Sequence, residues 1–316
     1  MKILLSGTSS FTGMHIAEQL TLAGCTVVGT ITQPISNYTG LKAARLKRLS
    51  QLQTSAEAPY GSPRFLALIQ DFQPDVYIHH GFDTSGYASA SFPVEARVQS
   101  AIHGIDAIIE SLLDVGCIGV IYSDSIFAGT GDIKCDGPVP FSPYGVAKKS
   151  VGARWAQGCH AASLPFWTQV IPNPIGQMDN PKLLQYLFDQ WSMGKAPVIT
   201  SPEHIRDNIP VDLLAKDYFR LVKALYIGKG GISNPSGWAC SVEALVRRAA
   251  RHWTQHTGQP SPIDFKPQPS QQPNTLVNTD SIWARHPDWS EEQFWAELIT
   301  GYQQSSPKAT ESKRVP

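Results

Sequence analysis

The 316-residue sequence has little charge and no net charge. Charged residues make up 16% of the chain, below the ~25% that is usual for soluble proteins. The 26 Lys and Arg residues balance 26 Asp and Glu residues. A general nucleic-acid surface requires a basic excess, so this balance argues against a nucleic-acid partner. Apolar residues make up 42%, which excludes a disordered chain and indicates a globular fold with a substantial core.

Cysteine pairs and long apolar runs are also lacking. The five cysteines show no C-x-x-C spacing, and Cys25, Cys117 and Cys240 lie in or beside apolar runs, where a thiol packs as a small hydrophobe. This pattern is typical of a reducing, cytoplasmic interior. No run reaches the ~18 apolar residues of a membrane helix, and the first ten residues are too weakly apolar for a signal peptide. We therefore expect a soluble, cytoplasmic protein with no membrane partner.

Short apolar runs alternate with amphipathic segments through the first half of the chain. Residues 2–7 and 25–31 have the pattern of strands, and residues 14–24 between them have helical spacing. Such a β-α-β unit builds a parallel sheet. The pattern continues with predicted helices at 41–52, 63–72, 98–116 and 148–162, predicted strands at 74–80 and 117–122, and a further strand and loop at 166–176. We predict an α/β fold with a doubly wound, Rossmann-like parallel sheet.

The character of the sequence changes after about residue 176. Helical patterns then dominate, residues 259–275 are too rich in Pro and Gln for a helix, and Ser290 is placed to cap a last helix over 288–302. We therefore predict three parts: a dinucleotide-binding domain over 1–176, a smaller, partly helical and mainly substrate-binding lobe over 177–302, and a flexible tail over 303–316. Some segments of the lobe are allowed to return to the first domain.

The stretch GTSSFTG at 7–13 follows the first strand and opens the first helix. This is the context of a dinucleotide phosphate-binding turn, in which backbone N–H groups at a helix N-terminus approach a pyrophosphate. Glycine holds the two outer positions and serine the middle one. An ordinary strand–helix turn is the alternative, because serine takes a positive φ less easily than glycine. The predicted cofactor contacts in this turn are Gly7, Ser9, Ser10, Phe11, Thr12 and Gly13.

The end of the second predicted strand has neither an acid nor an arginine. An acid there would bind the ribose 2′-hydroxyl of NAD, but the residues present are Thr32 and Gln33. Its absence removes one obstacle to a 2′-phosphate, so NADP is favoured over NAD, and Thr32 is assigned to the cofactor site. The nearest cations are Lys42 and Arg45 on the next helix, for which a solvated helix face is the alternative interpretation.

Tyr144 and Lys148 lie four residues apart in SPYGVAK, so a helix places them on one face. A nearby positive charge lowers the pKa of a phenol from about 10, and such a phenol can exchange a proton with a carbinol or carbonyl oxygen. A serine hydroxyl can hold the same oxygen. A strand-like run ends in Ser123, Asp124 and Ser125, which supply that hydroxyl. The combination indicates alcohol–ketone chemistry coupled to hydride transfer with nicotinamide.

Six segments occur in the order seen in extended short-chain dehydrogenases/reductases, the NAD-dependent epimerase/dehydratase family: GTSSFTG, PDVYIHHGF, IYSDSIFAG, SPYGVAK, VIPNPIG and IRDNIPVDLLA. The chain resembles this family to about residue 300. The resemblance implies an enzyme of nucleotide sugars whose catalytic trio is Ser123, Tyr144 and Lys148. Ser123 is preferred because it lies four residues before Phe127, the position of the family's aromatic residue. Ser125 is the competitor for this role and is otherwise assigned to substrate.

The resemblance implies further contacts. Arg206 would bind the substrate diphosphate through its guanidinium, with a salt bridge to Asp207 as the alternative, and Asn173 would contact substrate. The remaining cofactor contacts would be His80, Gly81, Ile171, Tyr144 and Lys148.

The adjacent His79 and His80 also suggest a metal site. Successive strand residues face opposite sides of a sheet, and no third ligand is apparent in the sequence. We therefore expect no metal.

The residues of the SDSIF segment resemble those of the corresponding segment in nucleotide-linked 4-keto-6-deoxyhexose reductases. Ser125 stands where dehydratases have the glutamate that eliminates water, which disfavours a dehydratase. We predict a reductase of a nucleotide-linked 4-keto-6-deoxyhexose that consumes NADPH. An epimerase with no net cofactor use is one alternative, and a non-catalytic dinucleotide-binding regulator is the alternative from another class. Relatives often form homodimers through a helix pair, for which 98–116 and 148–162 are the candidates.

Overall fold

The computed structural model describes residues 1–50, 54–270 and 272–305. Its strands, in chain order, are β1 Lys2–Ser6, β2 Thr26–Ile31, β3 Thr54–Glu57, β4 Val76–His79, β5 Gly119–Ser125, β6 Ile133–Cys135, β7 Phe166–Ile171, β8 Asn173–Ile175, β9 Val198–Ile199, β10 Ile205–Pro210, β11 Gly231–Ser233, β12 Pro235–Ser236, β13 Trp238–Ser241, β14 Asp264–Phe265, β15 Thr275–Asn278 and β16 Asp280–Ser281. Its α-helices are α1 Phe11–Leu22, α2 Gly40–Leu49, α3 Pro63–Phe72, α4 Val94–Ile102, α5 Ile105–Asp114, α6 Pro143–Ala161, α7 Leu183–Ser192, α8 Val211–Tyr226, α9 Val242–Thr257 and α10 Glu291–Ser305.

Seven strands form one large sheet in the order β11-β7-β5-β4-β1-β2-β3, and every pair in it is parallel. Helices α1 and α8 bury apolar side chains against one face of this sheet, and α3, α5 and α6 cover the other. The predicted doubly wound, Rossmann-like fold is confirmed. The strand order reverses between β1 and β4, and in such sheets ligands bind at the carboxyl ends of the strands beside this point.

A smaller sheet has the order β13-β10-β15-β6, with β8 beside β10. Helices α7, α9 and α10 pack around a separate apolar cluster that includes the buried Trp191, Trp253 and Trp295. Strands β6 and β8 come from before residue 176 and lie in this smaller sheet, whereas β11 comes from after it and completes the large one. The chain therefore crosses between the two sheets several times, and the division at 176 stays a prediction. Residues 303–305 belong to α10, and the rest of the predicted tail lies outside the described residues.

The long helix predicted over 98–116 is two helices, α4 and α5. His103 leaves the helical conformation at φ −56° and ψ 125°, and Gly104 follows at φ +76°. Glycine adopts this left-handed conformation without steric cost, so the chain changes direction there. The helix predicted from residue 148 begins earlier, at Pro143, where the Ser142 side chain accepts the Gly145 N–H at 3.1 Å. Tyr144 and Lys148 therefore both lie in the first two turns of α6.

Candidate active site

The turn between β1 and α1 accommodates serine in its middle position. Ser10 is the N-cap of α1 at φ −76°, so no positive φ is required there. Its hydroxyl donates to the Gly7 carbonyl at 2.8 Å and accepts the Gly13 N–H at 3.0 Å. Glycine is needed on both sides: Gly7 has φ +80°, and a Cβ on Gly13 would lie 2.3 Å from the Gly7 carbonyl oxygen. The geometry is that of a close-approach turn rather than a loose connection.

The turn suits an anionic ligand such as a dinucleotide pyrophosphate. Phe11 and Thr12 are the first two residues of α1, and N–H groups at these positions have no acceptor within their own helix. Such groups, at the positive end of the helix dipole, bind phosphates. The side chains of Phe11 and Thr12 are buried, so the backbone is what they offer a ligand, and half-buried Ser9 lies between them and Gly7.

Arg45, which the sequence pattern allowed on a solvated face, is 1% exposed. Its guanidinium donates to the Met178 carbonyl at 2.6 and 3.0 Å, to Asn180 at 2.9 Å and to the Ser9 carbonyl at 3.4 Å. Arg45 thus links the phosphate-binding turn to the 178–180 segment, and its guanidinium is already hydrogen-bonded within the protein. The sequence did not reveal these contacts. Exposed Thr32 shares a hydrogen bond with the Tyr38 hydroxyl at 3.3 Å.

Ser6 joins the carboxyl ends of β1 and β4. Its hydroxyl accepts the N–H groups of His80 at 3.1 Å and Gly81 at 3.0 Å. A Cβ on Gly7 would lie 2.8 Å from the Gly81 Cα, so the two loops touch through backbone alone. The structure therefore brings the predicted cofactor residues of the first turn together with His80 and Gly81.

The two adjacent histidines face opposite sides of the sheet. His79 bonds the Tyr77 hydroxyl at 2.8 Å and stacks on Tyr122 with ring centroids 5.9 Å apart. His80 instead bonds the Ser123 hydroxyl through Nδ1 at 2.9 Å. Over the described ranges, no group of three or more His, Cys, Asp or Glu residues is arranged to hold a metal ion.

Lys148 is buried in the wall of the site, with 4% exposure. Its Nζ donates to the Ser123 carbonyl at 2.6 Å and lies 4.3 Å from the Tyr122 ring centroid and 5.0 Å from that of Phe82. Burial lowers the pKa of Lys148 to about 8, and the Asp124 charge opposes this shift. The ammonium therefore keeps its proton at neutral pH but loses it at a lower pH than an ordinary lysine.

The Tyr144 ring is half-buried and packs edge-on against four aromatic rings. Their centroids lie 5.7 to 6.1 Å from its own, and they belong to Phe82, Tyr87, Phe92 and Phe127. Burial raises the pKa of Tyr144 well above its ordinary value, and Asp124 raises it further, while interaction with the Ser125 hydroxyl opposes both. The expected lowering of this pKa by Lys148 is not found, because burial and the nearby Asp124 carboxylate raise the pKa.

Asp124 is 3% exposed. Its carboxylate accepts the Ser125 N–H at 2.8 Å. Burial raises the pKa of Asp124, opposed by the Lys148 charge and by interaction with the Thr130 hydroxyl. The site thus holds a carboxyl whose charge is only partly compensated.

The two serines of the strand end have different partners. The Ser123 hydroxyl is buried and bonds Tyr218 at 2.6 Å as well as His80. It lies on the same side of β5 as Ile121, which packs in the apolar cluster of α1 and α8. The Ser125 hydroxyl accepts the Phe127 N–H at 3.3 Å and is the one that interacts with Tyr144. The structure brings Ser125, and not Ser123, to the tyrosine.

The remaining predicted contacts are spread along two sheets. Half-buried Ile171 pairs with Ser125 at the carboxyl edge of the large sheet. Half-buried Asn173 lies in β8 opposite Asn208. Arg206 forms no salt bridge with Asp207; its guanidinium hydrogen-bonds at 2.9 to 3.3 Å to Ile205, Asn274, Pro273, Gln272 and His204.

A parallel sheet with a phosphate-binding turn, and a tyrosine and a lysine from one helix at its carboxyl edge, is the arrangement of an NAD-dependent enzyme of the short-chain type. Residues 3–226 match the model of the NAD dependent epimerase/dehydratase family. The chain belongs to that family and is an enzyme, as the sequence resemblance predicted. A comparison with curated protein sequences found no match.

Solved structures of nucleotide-sugar enzymes share the fold at low sequence identity. UDP-glucuronic acid 4-epimerase from Bacillus cereus, in complex with a fluorinated UDP-sugar and NAD, has a TM-score of 0.76 at 17% identity over 97% of this chain and 100% of that one. UDP-glucose 4-epimerase from Thermotoga maritima, with UDP-glucose, has a TM-score of 0.71 at 16% identity over 96% and 99%. dTDP-glucose 4,6-dehydratase from Bacillus anthracis, with NAD, has a TM-score of 0.72 at 15% identity over 97% of each. No helix within the described ranges combines the length and apolar character needed to cross a bilayer.

Proposed function

We propose that this enzyme reduces the 4-keto group of a nucleotide-linked 6-deoxyhexose. The observation that carries the proposal is the pair of hydroxyl groups at the carboxyl edge of the sheet, Tyr144 and Ser125, with serine rather than glutamate at position 125. A phenol keeps its proton at neutral pH at its ordinary pKa of about 10, and burial and Asp124 raise the pKa of Tyr144 further. Reduction of a ketone needs a proton donor at the carbonyl oxygen, whereas oxidation of an alcohol needs a base. A protonated Tyr144 is thus prepared for the reducing direction.

Each side chain then has a defined part. A reduced nicotinamide supplies the hydride that forms the new C–H bond. The Tyr144 O–H donates its proton to the carbonyl oxygen, and solvent returns a proton to the phenolate. The Ser125 hydroxyl, whose oxygen accepts the Phe127 N–H at 3.3 Å, has its own proton available for the same carbonyl oxygen. The Lys148 ammonium would stabilise the developing phenolate and would hold the ribose of a bound cofactor.

A nucleotide sugar is the proposed substrate class, because structures of the same fold hold UDP-sugars. Asn173 and Arg206 are the proposed contacts with the sugar and the diphosphate. Arg206 donates to the backbone carbonyls of Pro273 and Asn274, so a diphosphate would compete with those carbonyls for its guanidinium. The competition predicts that the 273–274 segment shifts when substrate binds.

NADPH is the proposed electron source, with NADH as the alternative. No acid follows β2 to repel a 2′-phosphate. Exposed Thr32 and Lys42 are the proposed contacts for this phosphate. Arg45 is committed to carbonyl oxygens and is not counted among the phosphate ligands. Solved structures with this fold contain NAD, which is why both cofactors belong in the test.

The test is the nicotinamide absorbance of purified enzyme mixed with a UDP- or dTDP-linked 4-keto-6-deoxyhexose, with NADPH and NADH in parallel. Stoichiometric loss of the reduced cofactor is expected, faster with NADPH. Faster loss with NADH would overturn the cofactor preference alone. A sugar returned unchanged with both cofactors would overturn the reductase.

An epimerase is the second candidate, because UDP-sugar 4-epimerases share the fold over almost the whole chain. Such an enzyme oxidises and re-reduces the same carbon, so the sugar would change configuration without net loss of reduced cofactor. Incubating the enzyme with NAD and UDP-glucose or UDP-glucuronic acid, followed by chromatography of the sugars, distinguishes the two candidates.

A homodimer through α5 and α6 is also proposed. The two helices border a surface groove in which Leu113 is 44% exposed and Ile109 forms part of the floor, with Arg154 at its side. Light scattering of the purified protein should give twice the chain mass of 34.5 kDa. The variant L113E should give the monomer mass, and a wild-type monomer would contradict the proposal.

A further inference from the structure

A chain of hydrogen bonds runs from α8 to the carboxyl edge of the large sheet. The Tyr218 hydroxyl lies 2.6 Å from the Ser123 hydroxyl, which lies 2.9 Å from His80 Nδ1. Tyr218 is 0% exposed and Ser123 is 3% exposed. Neither group is used in the proposed reaction, since Ser125 is the hydroxyl beside Tyr144.

Counting the protons shows which group donates in each of these hydrogen bonds. Burial raises the pKa of Tyr218 well above its ordinary value, so its hydroxyl keeps its proton, and Ser123 is its only hydrogen-bond partner among the described residues. Tyr218 therefore donates to Ser123. The single proton of Ser123 is then available for His80 Nδ1, which must accept it.

The opposite direction is disfavoured. If His80 Nδ1 carried a proton and donated it to Ser123, one of the two hydroxyl protons, that of Ser123 or that of Tyr218, would have no acceptor among the described residues. A buried donor without an acceptor costs roughly 1–3 kcal/mol. Burial also lowers the pKa of His80 to about 3, so the imidazole is neutral and its one proton lies on Nε2.

His80 Nε2 lies at the place where a dinucleotide is expected. The His80 backbone is bound to Ser6, next to Gly7 of the phosphate-binding turn. His80 is half-buried, and within the described part of the chain its Nε2 has no hydrogen-bond partner and is not sealed from solvent, in contrast to Nε2 of His79. An N–H donor therefore remains available at this edge.

We propose that Ser123, whose oxygen accepts the Tyr218 proton, is the positioning residue that holds His80 as its Nε2–H tautomer, so that His80 donates a hydrogen bond to the bound dinucleotide. The contact rests on the proposed function, because that function places a dinucleotide at this edge. The tautomer does not rest on the proposed function, because it follows from the hydrogen bonds among Tyr218, Ser123 and His80. The assignment also separates the two serines: Ser123 acts through His80 on the cofactor, and Ser125 acts on the substrate.

The first test is the tautomer itself, by ¹⁵N NMR of histidine-labelled protein without cofactor. The His80 signals are identified by their absence in H80N. Wild type and Y218F should show a neutral ring protonated at Nε2, because both retain the Ser123 proton for Nδ1. The variant S123A should show a mixture of tautomers, because Nδ1 has lost its donor. A wild-type ring protonated at Nδ1, or an S123A spectrum identical to wild type, would overturn the proposal.

The second test is the affinity for NADPH and NADH by calorimetry. S123A should bind the preferred cofactor about 2-fold more weakly if half of the His80 rings keep the Nε2 proton, because only that fraction can donate. The matched control S125A should bind it as wild type does while losing turnover. Equal affinities for S123A and wild type would remove the cofactor contact. A wild-type chain that bound neither dinucleotide would overturn the contact together with the proposed function, and the NMR result would stand by itself.

Discussion

Two buried aspartates of this protein have opposite surroundings. Asp124, at the carboxyl edge of the large sheet, is 3% exposed, and Asp217, in α8, is 1% exposed. Burial raises the pKa of Asp124, and Lys148 offsets this only in part. Burial raises the pKa of Asp217 as well, but hydrogen bonds and charges from its partners reverse the shift, so that its pKa lies below the ordinary value.

The partners explain the difference. Asp217 accepts hydrogen bonds from Arg220 at 2.7 and 2.9 Å, from Gln169 at 3.0 Å and from Arg285 at 3.2 Å. Asp124 has no arginine partner within the described residues; its neighbours are Lys148 and the weakly acidic phenol of Tyr144. Removing a buried carboxylate that is paired with cations destabilises the fold, because the cations lose their partner. A buried carboxylate that shifts the pKa values of neighbouring acids and bases is instead typical of a functional site.

The largest effect is expected from removing the phenol that Asp124 perturbs. The variant Y144F should lower kcat by about 10²- to 10⁴-fold, the contribution of a positioned proton donor, and should still bind the cofactor. Cofactor oxidation and calorimetry measure the two quantities. Retention of more than about a tenth of wild-type kcat would fall outside that range and would assign the proton to another group.

The free energy of unfolding should separate the two aspartates directly. The free energy of unfolding of D217N should be about 3 kcal/mol lower at neutral pH, because two arginines lose a buried partner. This value is at the low end for such pairs, since both guanidinium groups retain contact with water. D124N should lose nothing or gain stability. The pKa of Asp124 is raised on folding, so its ionisation costs stability as pH rises from the ordinary carboxyl pKa through the raised one.

Urea titrations of the two variants provide the measurement. Asp217 has the reverse sign, since its pKa is lowered: its contribution is present above the ordinary carboxyl pKa and is lost as pH falls through the lowered one. The D217N deficit should therefore shrink in acid. A D124N variant as unstable as D217N would show that both carboxylates are structural.

The pH dependence of kcat/KM should report the coupling of Asp124 to Lys148. The rate should fall as pH rises through about 8, where Lys148 loses its proton. The Asp124 charge raises this pKa, so D124N should move the fall to lower pH, and D217N should leave it in place. A fall that moved upward in D124N, or moved equally in D217N, would refute the coupling.

The smallest effect is expected at Thr130, whose hydroxyl interacts with Asp124. T130V should cost about 1 kcal/mol of stability at neutral pH, the typical contribution of one hydrogen bond. The cost should shrink when Thr130 is replaced in a D124N background, which a double-mutant cycle measures. The same cost in both backgrounds would mean that the hydroxyl acts on something other than the carboxylate.

The features predicted correctly from the sequence are those with local causes. Periodicity and turn residues placed β1, β2 and α3 within a residue or two, and Ser290 accepts the Gln293 N–H at 3.1 Å at the start of α10, as its position predicted. The break at Gly104 was missed because the apolar spacing continues on both sides of it. Only the φ of +76° reveals the change of direction.

The features that sequence reasoning missed depend on contacts distant in the chain. Tyr218 meets Ser123 across 95 residues, and Arg45 meets Met178 across 133. The sequence predicted a lowered pKa for Tyr144, whereas its pKa is raised. Lys148 is four residues away and can be recognised in the sequence, but the aromatic rings that bury the phenol come from other segments. The polar strand end and the Tyr144/Lys148 spacing were a usable signal. The preference for Ser123 over Ser125 as the catalytic serine stays a prediction, and only the fold shows that Ser125 interacts with Tyr144 and Ser123 with Tyr218 and His80.

Transfer of deuterium to the sugar is the most direct measurement of the proposed reaction. The enzyme would be incubated with reduced cofactor deuterated at the transferable position and a nucleotide-linked 4-keto-6-deoxyhexose, and the sugar analysed by mass spectrometry and NMR. One deuterium at carbon 4 for each cofactor oxidised is the predicted result. A product of changed configuration without deuterium and without oxidised cofactor would contradict the reductase and identify an epimerase.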